Sequence, residues 1–398
     1  MDWETLYCPN PVCPFYGVRF GESRLVKNGT TRGQRQALCR ACGSSIALTY
    51  GTPYFDLEHD PALFELAIRA LAEGNSIRAT ARIIQVDKDT VCTWLDRAAQ
   101  QCRLVILYLW QQLPLRECQL DELWSFVHTK DEHLSWAKTY RDTYGDAWVW
   151  VAFAPEWRLV VAFVVGKRTQ AEANLLLERV AHVTTDLIPF FTSDQLPEYR
   201  TALLHVYGEW YQPPRRGTRG PHPYPRRVPH KELRYAQVVK TRERGRVVAV
   251  DHHVVFGDAQ RIAALLAALP TSATINTSFV ERENLALRQH NRRLTRKTNA
   301  FSKELPWLEK QLWLSLAYTH LVLPHDSLGQ ELPMVEPTRG TGSPRRWQPR
   351  TPAMAAGLTD HVWTTDELLS YRVPAPFIDQ LDQLEHLFPQ PEPIYQGN

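Results

Sequence analysis

The chain has 398 residues, 44% of them hydrophobic, with 13 Trp and a formal net charge of +3. That length and apolar content supply the cores of roughly two to four domains and exclude a disordered chain. No apolar run reaches about 18 residues and the start, MDWETLYCPN, lacks the basic-then-apolar order of a signal peptide, so a cytoplasmic, nucleoid-associated protein with no membrane partner is expected. Charge is uneven: beyond Val322 there are ten acids against five Arg, which leaves the preceding four-fifths basic and matched to a polyanion.

The N-terminal segment (1–55) carries the knuckles CPNPVC (Cys8, Cys13) and CRACG (Cys39, Cys42). Paired cysteines in a cytosolic protein read as metal ligands, and this spacing predicts a four-cysteine zinc ribbon holding one structural Zn²⁺; unrelated thiols are the alternative. Arg and Lys alternate with Leu25, Val26 and Leu38 between the knuckles, as in a hairpin with a basic face.

Residues 56–105 predict three helices: PALFELAIRALAEG, SIRATARII capped by Ser76, and DTVCTWLDRAAQQC. Short turns and apolar spacing describe a helix-turn-helix, with Lys88, Thr90, Thr93 and Arg97 facing a DNA major groove, although any trihelical bundle shares the pattern. Cys92 and Cys102 on the third helix read as small buried hydrophobes.

From 114 to 322 the pattern becomes α/β. RECQLDELWSFVHTK reads as a strand with Asp121 and Glu122 in its middle, where unpaired charge would cost several kcal/mol. DAWVWVAFA and RLVVAFVVG form a hairpin, TQAEANLLLERVAH a helix, and LIPFFTSDQ a strand ending at Asp194. Strand, hairpin, helix and strand with acids on the first and fourth strands is the order of the ribonuclease H-like fold with a mixed sheet. Asp194 could also simply cap the next helix, EYRTALLHVYG.

A Pro/Arg-rich stretch at 212–246 carries eleven Lys or Arg, among them Arg215, Arg216, Arg226 and Arg227, against Glu232 and Glu243. Its prolines argue against regular structure, and its charge fits a strap that orders on a phosphate backbone. His252 and His253 follow as strand or loop residues.

Asn276 to Lys303 is read as a helix placing Glu281, Asn284, Leu285, Arg288 and Arg292 along one side. Its seven basic residues, including Arg293, Arg296 and Lys297, against two acids suit a helix on a nucleic-acid backbone. Asp121, Asp194 and Glu281 together form a carboxylate set for two Mg²⁺ (or Mn²⁺) ions. Residues 323–398 read as a Pro-rich linker and acidic, partly disordered tail with a short helical patch at Thr365 to Ser370.

With these motifs laid out, residues 5 to 320 resemble transposases of the insertion-sequence-one family. The carriers are the two knuckles, LDELWSFV, TSDQLPEY and VERENLALRQHNRRLTRKTNAFSK. The resemblance implies a DDE triad of Asp121, Asp194 and Glu281, with Arg288 touching the DNA end. It implies metal-dependent 3′-end cleavage and strand transfer on double-stranded DNA, namely terminal inverted repeats and target DNA, by a homodimer or higher homo-oligomer. A non-catalytic DNA-binding regulator and a ribonuclease H-like nuclease are the competing readings.

Overall fold

The computed structural model describes residues 2–134, 143–215, 217, 222–338, 340 and 342–390. Its first unit is a small three-stranded antiparallel sheet, β1 (Leu25–Thr31), β2 (Gln34–Cys39) and β3 (Ser45–Ala47). Leu6, Leu25, Ala37 and Ile46 close a core of their own around the cysteines. Three helices follow: α1 (Pro61–Ala72), α2 (Ile77–Ile84) and α3 (Lys88–Leu109). Each has a side-chain cap where the sequence offers one: Asp60 accepts from the Ala62 amide, Ser76 from Ala79 and Asp87 from Asp89.

The central sheet has six strands: β4 (Glu117–Val127), β5 (Gly145–Ala154), β6 (Leu159–Gly166), β7 (Phe190–Ser193) and, after β8 (Gly208–Tyr211) and β9 (Arg226–Pro229) form a separate ribbon, β10 (Arg234–Glu243) and β11 (Arg246–Phe256). Between them lie α4 (Gln170–Val183) and α5 (Pro197–Tyr207). The order is β11-β10-β7-β4-β5-β6, antiparallel within the β4-β5-β6 meander and parallel where β7 joins β4 and β10. β5 and β6 are buried almost throughout, which is why their sequences are continuous apolar runs rather than alternating ones.

The remaining elements are α6 (Ala259–Ala268), α7 (Ser278–His290), α8 (Leu305–Ala317), the hairpin β12 (Gln330–Glu336) and β13 (Arg345–Gln348), and three short helices, α9 (Pro352–Ala355), α10 (Thr365–Ser370) and α11 (Ala375–Leu381). α3 packs along α8, where the buried Lys310 ammonium meets Asp96 at 2.5 Å. At Gly74 the trihelical unit touches α7: φ is +83° and a Cβ would stand 2.5 Å from the Gln289 carbonyl oxygen, so only glycine fits. Among the described residues, no helix is long and apolar enough to cross a membrane.

Three expectations are corrected. The stretch 212–246 is not wholly irregular, because its prolines all lie at or before Pro229 and the following RYAQVVKT has the residues of a strand, which is β10. The helix expected over 276–303 ends at His290, with Asn291 extended, so Arg292, Arg293, Arg296 and Lys297 lie beyond it and Leu285 points to solvent.

The third correction concerns the tail. Up to Gln390 it is folded, and Trp363, Leu368, Leu369, Val373 and Phe388 join the core shared by α1–α3 and the large sheet. Gln101 donates to the carbonyls of Leu368 and Tyr371, and Arg103 and Arg179 donate to those of Phe388 and Leu387. Arg372 is 4% exposed and reaches the first unit, donating to the carbonyls of Asp2, Leu48 and Tyr50 and to the Thr5 hydroxyl. Low-complexity composition hid this, because apolar residues spaced for scattered contacts carry no helical or strand period. Arg372→Ala strands the buried Leu48 carbonyl and removes the donors to Asp2 and Tyr50, and is expected to destabilise the junction by about 2–4 kcal/mol, seen as a lower melting temperature and earlier proteolysis around residues 323–350.

Candidate active site and metal centre

Charge in the middle of a buried strand needs a reason, and β4 supplies two carboxylates on opposite faces. The β4–β7 register pairs Gln119 with Thr192, and the same offset (192 − 119 = 73 = 194 − 121) sets Asp121 opposite Asp194 just past the end of β7. In-register neighbours on parallel strands project to the same face. Asp121 is pushed up to about 7 by burial, then by the charge of Glu122, with Asp194 and Glu281 adding to it. Asp194 is exposed and its Oδ1 accepts from the Leu196 amide at 3.0 Å, so it also serves the turn into α5.

α7 runs across β4 on the Asp121 side. Gln119 Oε1 accepts from the Val280 amide at 3.1 Å, and Asn284 Nδ2 donates to Asp121 Oδ2 at 2.8 Å. Glu281, one turn before Asn284, is exposed; Thr277 Oγ1 donates to it at 2.6 Å and Lys240 of β10 pairs with it. Asp121, Asp194 and Glu281 do not close on one another: among the described residues, only the four cysteines form a group of three or more such residues whose ligand atoms lie within 4.8 Å of one another. As a donor set, a buried Asp121 carboxyl raised chiefly by burial, with Asp194 and Glu281 adding to it, fits a hard divalent cation, whose charge would favour the ionised form.

Glu122 lies on the opposite face, its side chain 3% exposed, held by Arg168 and by the Tyr199 hydroxyl at 2.9 Å. Burial and then Asp194 raise its carboxyl. Sequence reasoning marked Glu122 as anomalous but missed Arg168, Tyr199 and Lys240, because no local pattern links residues 41 to 77 positions apart on different elements.

The predicted DNA contacts divide. Arg97 donates to the carbonyls of Pro53 and Phe55, at 3.3 and 2.6 Å, and so fastens the segment before α1. Thr93 bonds back to Asp89 of its own helix, Lys88 pairs with Asp89, and Thr90 is half-buried. Arg288 is half-buried and spans two carbonyls, Leu294 at 2.7 Å and Trp124 at 3.3 Å. Arg292, Arg296 and Lys297 are exposed, and Arg293 is half-buried over Trp307. Arg215 and Arg226 are exposed, while Arg227 lies over the Trp210 ring and bonds the Gly208 carbonyl; Arg216 lies outside the described residues.

In the first unit the four thiols meet, with Cys8 Sγ 3.6 Å from Cys42 Sγ and Cys13 Sγ 3.8 Å from Cys39 Sγ. A tetrahedral ion with metal–sulfur bonds of about 2.3 Å requires sulfurs about 3.8 Å apart, so the cluster fits zinc. The Phe15 amide donates to Cys13 Sγ at 3.4 Å, and Cys42 Sγ is 3.2 Å from the Ser44 hydroxyl, which fixes the thiols from outside.

No family model matches the chain, and no curated protein matches it. Among solved structures it is similar to complexes of the Mos1 transposase. A paired-end complex with the left transposon end is 15% identical, covering 38% of this chain and 60% of that one at a TM-score of 0.15. A pre-cleavage transpososome is 16% identical with the same coverage and TM-score, and the strand transfer complex is 14% identical, covering 66% and 79% at 0.17. The chain spans about three-fifths of the first two. TM-scores this low carry no structural conclusion.

Two outcomes follow from the geometry. Because its carboxyl is raised in the fold, Asp121 holds a proton that the unfolded chain releases, so stability falls as pH rises from about 4 to about 7. Asp121→Asn removes this cost: in EDTA the variant should melt with the parent at pH 4 and higher than it at pH 8. For the thiols, elemental analysis should find about one zinc per chain, and Cys39→Ser should lose it together with the fold of residues 2–55.

Proposed function

We propose that the chain is a DDE transposase of the insertion-sequence-one family, cutting the 3′ ends of a DNA element and joining them to target DNA. The observation that carries this reading is the parallel pairing of β4 with β7 up to Gln119 and Thr192, whose offset brings Asp121 of β4 beside Asp194 just past the end of β7, with the Glu281 helix laid across the same end. The sheet order, an antiparallel meander joined through its first strand to parallel strands, supports a ribonuclease H-like catalytic unit. The motif resemblance supplies the family.

Asp121, Asp194 and Glu281 would hold two Mg²⁺ (or Mn²⁺) ions. Such ions activate the attacking oxygen and stabilise the leaving one in an in-line phosphoryl transfer. Asn284 orients Asp121 by its 2.8 Å bond. Lys240 pairs with Glu281, which keeps an ammonium beside the site where a phosphate oxygen could accept from it. Glu122, locked by Arg168 and Tyr199, keeps β4 and α5 in fixed relation and so fixes the Asp121 to Asp194 separation. The zinc-bearing first unit and the trihelical unit bind the inverted repeats. Two ends must be joined, so the working form is at least a dimer.

Purified protein, Mg²⁺ or Mn²⁺ and a labelled duplex carrying the repeat that flanks the gene should give joined products, and Glu281→Gln should give none. Metal-dependent nicking without joining would assign a nuclease instead, and specific binding without cleavage would assign a regulator.

A further inference from the structure

A cleft of about 880 Å³ lies away from the carboxylates, between the trihelical unit and the segment that follows α7. One wall presents Arg78 and Arg82 of α2 and Lys88 at the start of α3; the other presents Arg292, Arg293, Lys297 and Lys303. Its lining holds these seven cations and no acid; the other polar lining residues, such as Asn75, Thr298 and Asn299, are neutral. Cationic side chains crowded without counter-charge repel one another, so such a cleft is stable only in water or against a polyanion.

Of the seven, Arg78, Arg82, Arg292, Arg293, Lys297 and Lys303 make no ion pair among the described residues, whereas Lys88 pairs with Asp89. Arg78, Arg82, Arg292 and Lys297 are exposed. The two walls come from different units of the chain but are locked together: Gly74, next to Asn75 of the first wall, meets the Gln289 carbonyl, and Gln311 on the cleft floor donates to the Leu71 carbonyl at 3.1 Å. The spacing between the walls is therefore set by packing and does not wait for a ligand.

We propose that this cleft holds the phosphodiester backbone of one DNA strand, gripping it from both walls and directing it along α7 to the Asp121, Asp194 and Glu281 carboxylates. This deepens the transposase reading and rests on it for the strand's destination. From Glu281 to His290 is 290 − 281 = 9 residues of helix, about 14 Å at roughly 1.5 Å each. At about 3.4 Å per nucleotide the gripped phosphates begin about four nucleotides from the reacting one. The Phe301 ring, with Lys303 Nζ 4.4 Å from its centroid, adds an aromatic surface to the same cleft.

The test measures binding alone. The full chain, with no Mg²⁺ or Mn²⁺ added and no chelator, is titrated onto a labelled 30-base-pair duplex over a range of salt concentrations, so the result stands whether or not cleavage is ever observed. Arg78→Glu with Arg82→Glu should lower the slope of log affinity against log salt by about 1.8, near 0.9 for each lost phosphate contact. Arg292→Glu with Lys297→Glu, on the other wall, should do the same. Arg345→Glu with Arg346→Glu, on the β12–β13 hairpin, changes the net charge equally and should leave the slope unaltered. All six positions are exposed, and circular dichroism matching the parent verifies each fold. An unchanged slope in both wall variants, a loss confined to one wall, or an equal loss in the hairpin variant would each overturn the two-walled cleft. If the slopes fall as expected but Mg²⁺ produces no cleavage, the cleft stands and the catalytic reading fails.

Discussion

The parallel pairing of β4 with β7 is the constraint on which the rest of the molecule depends. Once Gln119 faces Thr192, the chain direction and the two-residue side-chain period leave Asp121 and Asp194 as neighbours at one end of the sheet. A register slip of one residue would turn Asp121 to the opposite face and exchange it with Glu122. Register is protected by what lies around it: Cys118, Leu120 and Leu123 are buried on β4, as are Phe190 and Phe191 on β7. Apolar burial thus fixes the positions of charges that would not choose to stand together.

Those charges are costly and the structure meets the cost locally. Asn284, Arg168, Tyr199, Lys240 and Thr277 each bond a carboxylate of this group, and they come from four separate places in the chain. The Asp121 carboxyl still stands far above its ordinary range, since burial outweighs the bonds. A site strained by like charge in its resting form is favourable ground for a divalent cation.

Cohesion between units rests on arginines used as donors to backbone rather than to acids. Arg97, Arg103, Arg179, Arg288 and Arg372 spend their guanidinium bonds on main-chain carbonyls, with the Thr5 hydroxyl a further acceptor for Arg372. This divides the basic residues into a structural set, fixed and partly desolvated, and an exposed set that includes Arg78, Arg82, Arg292 and Lys297. Composition alone counts both sets as one field of positive charge. Only the second is free to meet a polyanion.

Local signals were legible in the sequence. Cysteine spacing, the cap at Ser76, the apolar runs of β5 and β6 and the anomalous acids of β4 each follow from residues close together in the chain, where turn geometry, hydrogen bonding and side-chain period act directly. The end of α7 and the folded tail were not legible, because each is decided by partners far away in sequence. The partners of Glu122 and Glu281, the commitment of Arg97 and Arg288 to carbonyls, and the acid-free cleft belong to the same class. Sequence by itself determined which residues could carry charge, metal or an apolar core. Tertiary structure alone decided which of them meet, because long-range packing rather than local propensity sets the distances over which charges and donors act.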